Sequence, residues 1–210
     1  GEQKEAILDY LKVVVERYRQ DPAIKVWQVE NEPFLSLFAF EHCGELDEEF
    51  LAEEIALIKS LDSSRPVLVT DSGNLGTWRG AYRAGDMFGT SVYVYFWNPE
   101  IGQFKTVLPP FAYRIKNNLL SLWYGEKDSW LIELSAEPWL LAPITEVPIE
   151  TQLTRMNPDK FDDIIKYAEA TRYQFQYLWG VEWWYWLKEQ GQPKMWEQGQ
   201  QLFGGPADVR

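Results

Sequence analysis

Histidine and cysteine are almost absent from this 210-residue chain: His42 and Cys43, side by side, are the only ones. One cysteine excludes an internal disulfide and leaves the compartment open. One histidine leaves no Ser-His or Cys-His triad with ordinary spacing, and a lone His-Cys pair is not a metal site. Loop packing is the reading adopted for both, and no cofactor is implied. Positive charge is scarce as well, with 20 Lys and Arg against 32 Asp and Glu and a net charge of −12. Phosphate binding needs clustered cations, so a nucleic-acid partner is excluded. There is no basic amphipathic stretch for a membrane surface, and no apolar run reaches the ~18 residues of a membrane span. The chain opens on Gly1, with no signal peptide to read, so localisation stays unknown.

Aromatic side chains, in contrast, are plentiful, at 16% with 11 Trp. Two readings are open: a Trp-rich core, or a sugar site, where the apolar CH faces of pyranose rings stack on aromatic rings. Periodicity organises the rest. Apolar residues Ile7, Leu11, Val14 and Tyr18 predict a helix over residues 3–20, stopped by Asp21-Pro22. Lys25–Glu30 reads as a strand, and residues 47–61 as a helix with acids in its first turn and Lys59 in its last. Pro66–Thr70 is a buried strand, residues 75–84 a weak helix or loop, and Thr90–Phe96 a β-branched and aromatic strand. A helix follows Pro109-Pro110, then a strand at Trp130–Leu134. Asn157-Pro158 opens a helix to about Gln176, Gln176–Trp184 is the last strand, and a short helix lies near Trp196–Phe203. Strands alternating with helices mean a parallel sheet covered by helices, in one domain over residues 1–210. Two strand-to-helix connections are long, Trp97–Lys105 and Trp139–Met156. In such folds these connections build the site at the carboxyl ends of the strands.

The most informative stretch is the strand that runs into Asn31-Glu32-Pro33. Pro33 is expected to hold Glu32 extended, at a strand end. A second strand end supplies Glu133, with Glu137 before Pro138 close behind. Asn-Glu-Pro after a strand, with a Glu ending a later one, resembles the clan A retaining glycoside hydrolases, a cellulase-like superfamily of barrels. The resemblance covers nearly the whole chain. It implies a partial (β/α)8 TIM barrel, with strands four to eight and their helices present and strands one to three absent. Glu133 then falls on the third strand after that of Glu32, in register with strand seven.

The resemblance further implies double displacement on a carbohydrate substrate, with Glu32 as catalytic acid/base and Glu133 as nucleophile. Such chemistry sets two carboxyl groups about 5–5.5 Å apart and pushes their protonation states apart. Asn31 would bind the sugar 2-hydroxyl, and Tyr93 would lie near the nucleophile. A Trp ending strand eight would floor the sugar site, with Trp184 and Trp186 on one strand face and Trp183 on the other. Asp71, Ser72 and Asn74 either line the cleft or cap a loop.

Glu30 competes with Glu32, and Glu137 with Glu133, as site residues; all could be solvated strand-end charges. A five-strand arc would leave open edges, so a complementary N-terminal half-barrel or self-association is expected, with little activity from this polypeptide alone. Two other classes remain: a non-catalytic carbohydrate-binding pseudo-enzyme, and an unrelated five-stranded doubly wound α/β protein. The latter usually carries a glycine-rich loop after its first strand, which is missing here.

Overall fold

A computed structural model describes residues 1–35 and 47–204 of the chain; His42 and Cys43 lie outside the described residues. The elements are helices α1 (Glu2–Tyr18), α2 (Glu48–Leu61), α3 (Arg79–Ala84), α4 (Pro110–Tyr124), α5 (Ile149–Arg155), α6 (Pro158–Thr171), α7 (Val181–Glu189) and α8 (Lys194–Phe203). The strands are β1 (Trp27–Gln28), β2 (Val67–Asp71), β3 (Met87–Val92), β4 (Tyr95–Asn98), β5 (Gly102–Lys105), β6 (Ser129–Ser135) and β7 (Gln176–Trp179). The fold is α/β, with a parallel sheet of five strands in the order β1-β2-β3-β6-β7. Strands β4 and β5 form a separate antiparallel pair. The chain divides into two compact units, residues 1–91 with 115–130, and residues 92–114 with 131–210.

In the first unit the sheet is built on β2, buried along its whole length. A strand covered on both faces needs a continuous apolar run, which Val67-Leu68-Val69 supplies. Trp27 and Gln28 pair with Val67 and Leu68, and Leu68–Asp71 pair with Met87–Thr90. Helix α2 begins where Asp47 accepts the Phe50 N–H at 2.9 Å, and it buries Phe50, Leu51, Glu54 and Ile58. The spacing of these residues is that of one helix face. Asp62 ties the helix end to the strand start. It accepts bonds from the Ser64 hydroxyl (2.6 Å), the Trp27 indole (2.9 Å) and Arg65 (2.7 Å). Those donors, Ser64 first, hold its carboxyl well below the usual carboxylate range.

Glu54 runs the other way. It is buried on α2, and burial first, then the charge and hydrogen bond of Glu30, push its pKa up to about 7. The folded state therefore keeps a proton that the unfolded chain gives up earlier. This contribution to stability is complete below the ordinary Glu pKa and is lost as pH rises through about 7. Thermal melts should show Tm falling over roughly pH 5 to 8, with Glu54→Gln flattening that fall. An equally steep fall in E54Q would reject the assignment.

The second unit carries the β4–β5 hairpin, turned at Gly102 with φ 74°, and helices α5 to α8. Asn157 caps α6 through the Lys160 N–H at 3.1 Å, with Pro158 in the first turn. Helix α6 buries Phe161, Ile164, Tyr167 and Ala168. Leu131 pairs with Gln176, but Leu134 pairs with Leu178, so β6 spends three residues where β7 spends two. The extra residue is a bulge next to Glu133.

Several expected elements differ. The strand read at Lys25–Glu30 is only Trp27–Gln28, and the connection Trp139–Met156 holds helix α5. The strand placed at Thr90–Phe96 is two: β3 ends at Val92, and the chain restarts as β4 at Tyr95. The long connection Trp97–Lys105 is mostly the hairpin. The last strand stops at Trp179, not Trp184, because Gly180 takes φ 123° and opens helix α7. A Cβ at Gly180 would lie 3.0 Å from the Glu137 Cβ and 3.1 Å from the Ala136 carbonyl, so only glycine fits this turn.

Candidate active site

In the first unit, β1 is followed by Val29, which is buried and continues the register through its N–H to the Leu68 carbonyl at 3.1 Å. The chain then turns sharply. Glu30 has φ 53° and Glu32 φ 48°, both left-handed and both non-glycine. The expectation that Pro33 keeps Glu32 extended is therefore corrected. Two tethers override it: the Glu32 N–H donates to Thr70 Oγ1 at 2.9 Å, and the Ser91 hydroxyl donates to Glu32 Oε1 at 2.6 Å. Gly73 N–H donates to Ser91 Oγ at 3.3 Å, which fixes the direction of the serine proton toward Glu32. Left-handed backbone costs about 1–3 kcal/mol per residue and clusters at functional sites. Thr70 and Ser91 are buried, at the ends of β2 and β3. Asn31 is exposed beside Glu32.

Asp71 caps a loop. Its carboxylate accepts the N–H groups of Ser72 (2.8 Å) and Trp78 (2.7 Å), while burial raises its pKa against those bonds. Trp78 takes φ 69° with its ring fully buried. The Lys116 ammonium sits 4.0 Å from that ring centre. Burial lowers the Lys116 pKa to about 8, with Asp71 opposing.

In the second unit, Glu133 sits at the β6 bulge and is half-buried. Bulges re-aim side chains and recur beside active sites. The Tyr93 hydroxyl donates to Glu133 Oε2 at 2.8 Å. The Tyr93 ring meets Trp139 at 5.4 Å and the edge of Trp179 at 6.2 Å. Glu137 is half-buried four residues on, and its pKa is raised by burial first and then by Glu182. It stands at the loop start after β6 rather than on the strand.

Trp184 and Trp186 do not alternate along a strand; both belong to helix α7. Trp184 is buried against Phe161 at 5.1 Å, and its indole N–H donates to the Ala136 carbonyl at 2.8 Å. Trp183 donates to Gln152 at 2.6 Å. The Trp183 and Trp184 rings are core, and Trp186 is half-buried. The aromatic residue at the strand end is Trp179, 43% exposed, and Gly180 was the sequence signal that marked it. Sequence reasoning also missed Trp139, Thr70 and Ser91. Among the described residues no group of three or more His, Cys, Asp or Glu side chains could hold a metal ion, and no helix is long and apolar enough to cross a membrane.

Each unit thus holds one glutamate that accepts a hydroxyl hydrogen bond: Glu32, on the turn after β1, from Ser91, and Glu133, on the β6 bulge, from Tyr93. A carboxyl oriented in this way has the geometry for nucleophilic or acid–base work fixed in advance.

No protein-family model matches the chain. Over 126 residues it is 29% identical to human beta-glucuronidase, a span that is 60% of this chain and 17% of that protein. The fold is similar to a beta-D-glucuronidase of Dictyoglomus thermophilum, with TM-score 0.60, 16% identity, and coverage of 86% of this chain and 29% of that one. It is similar also to a GH2 beta-galacturonidase of Eisenbergiella tayi, with TM-score 0.55, 16% identity, and coverage of 84% and 29%. The chain spans less than a third of the length of each of these relatives. With these solved structures the chain shares its fold.

Proposed function

We propose that the chain is the part of a retaining β-glycosidase that supplies both reacting carboxyls, and that its five parallel strands are strands four to eight of a (β/α)8 barrel. Glu133 is the nucleophile: its oxygen bonds to the anomeric carbon as the bond from that carbon to the leaving oxygen breaks. Glu32 is the acid that protonates that oxygen. It then takes a proton from water, whose oxygen attacks the anomeric carbon and frees Glu133. Asn31 binds the sugar 2-hydroxyl, Tyr93 orients the nucleophile, and Trp179 takes the floor position expected of a strand-eight tryptophan. The observation that carries this reading is the pair of glutamates with hydroxyl donors, Glu32 on a strained turn after β1 and Glu133 on the β6 bulge.

The names of the relatives make a β-glucuronide or β-galacturonide the first substrate to try. The outer strands of the sheet, β1 and β7, are where a complementary half-barrel or a second copy would add strands. Proton NMR of a polypeptide carrying this chain, mixed with 4-nitrophenyl β-D-glucuronide, tests the mechanism. The β-anomer of the free sugar should appear first, followed by slow mutarotation. Initial release of the α-anomer would mean inversion and overturn the assignment. Tight binding without release would favour the non-catalytic carbohydrate-binding reading.

A further inference from the structure

The β4–β5 hairpin has two unlike faces. Its register sets Phe96 opposite Phe104 on one face, and Tyr95 opposite Lys105 and Trp97 opposite Gln103 on the other. The second face is fastened by polar contacts within its unit. Tyr95 OH donates to Asp163 at 2.6 Å, and Lys105 pairs with the same carboxylate at 2.5 Å. Gln103 donates to the Arg155 carbonyl at 2.5 Å, and the Arg155 guanidinium lies 3.6 Å from the Trp97 ring centre. Arg155 also donates to the Trp139 carbonyl at 2.7 Å, tying the hairpin to the loop after β6.

The first face is aromatic and uncovered at its outer end. Phe96 and Phe104 are near-parallel at 5.2 Å and 11°, and Phe96 and Trp139 at 6.3 Å and 27°. Tyr93 touches both Phe96 and Trp139, and its hydroxyl is on Glu133. A continuous aromatic surface therefore starts at the candidate nucleophile and runs outward to Phe104, 42% exposed. A two-stranded ribbon needs one apolar face for packing; here Phe96 and Trp139 are half-buried and Phe104 is exposed, while the other face is clamped. Preorganised rings in a row, held by an ion pair and a stacked guanidinium, are a binding surface with little ordering left to lose.

We infer that this hairpin face, Phe96, Phe104 and Trp139, is a leaving-group subsite that stacks a flat or apolar-faced ring attached to the scissile oxygen. The inference rests on the proposed glycosidase reading, and its test separates the two. Methyl and phenyl β-D-glucuronide share one sugar and differ only in the group beyond the oxygen. Titrated by NMR into a polypeptide that carries this chain within the whole barrel, the phenyl compound should bind about tenfold more tightly. A β-linked disaccharide with the same non-reducing sugar tells a second sugar ring from an aryl group as the natural occupant. Phe104→Ala should reduce the phenyl or disaccharide advantage to about twofold or less while leaving the methyl glycoside Kd unchanged, and Phe104→Trp should restore it. Equal affinities for all three ligands, or an advantage that survives F104A, would overturn the subsite and leave the glycosidase reading standing. Failure of the methyl glycoside to bind at all would count against the glycosidase reading, and the subsite with it.

Discussion

Glu133→Gln is expected to lower turnover of a β-glycoside by on the order of 10⁴-fold or more in any polypeptide that carries this chain and hydrolyses one. The amide keeps the shape and still meets the Tyr93 hydroxyl, which sits 2.8 Å from Oε2, but it cannot attack the anomeric carbon. Glu32→Gln should fail differently. The nucleophile remains, so substrates with good leaving groups, which need no protonation, should retain far more activity than alkyl glycosides. Glu137→Gln serves as the control. Its carboxyl is half-buried with its pKa raised by burial, and it stands beyond the end of β6. If E137Q alone abolished turnover while E133Q did not, the nucleophile assignment would be wrong. Steady-state kcat with aryl and alkyl glycosides distinguishes all three variants.

The largest effect on stability is expected at Phe88. It is fully buried on β3 and packs on Trp78 (ring centres 5.0 Å apart) and Tyr82 (5.5 Å). Both neighbours are held by backbone bonds of their own: the Trp78 indole to the Ser72 carbonyl and the Tyr82 hydroxyl to the Gly125 carbonyl. They cannot collapse into the space a smaller residue would leave. Phe88→Ala should therefore cost about 3–5 kcal/mol, a large part of the 5–15 kcal/mol typical of a domain. Urea unfolding should show a lower midpoint with little change in slope. A loss under about 1 kcal/mol would mean that the Trp78–Phe88–Tyr82 cluster repacks.

The α/β order was readable because its signals are local. The Asp47 cap and the Lys59 terminus of α2, the Asn157-Pro158 start of α6 and the apolar run of β2 each depend on a few neighbouring residues. Asn31-Glu32-Pro33 stood out as a candidate for the same reason. The left-handed backbone of Glu32 did not, since it is imposed by Thr70 and Ser91, far away in sequence. The bulge at Glu133 is a count against β7, and no single strand reveals it. The Trp run after Gly180 misled because an apolar stretch reads equally as strand or buried helix. The deciding evidence, Gly180 itself and Leu187 one turn beyond Trp183 and Trp184, was present in the sequence. The hairpin was hidden within a connection whose length alone was informative, and with it the aromatic face that runs to Glu133.

Trapping the covalent intermediate tests the central claim most directly. A 2-deoxy-2-fluoro β-glucuronide with a 2,4-dinitrophenyl leaving group slows the second displacement, so the sugar stays on the nucleophile. Peptide mass spectrometry of a polypeptide carrying this chain should then find the adduct on Glu133. An adduct on Glu137 or elsewhere, or dinitrophenol released in turnover without any adduct, would contradict the account.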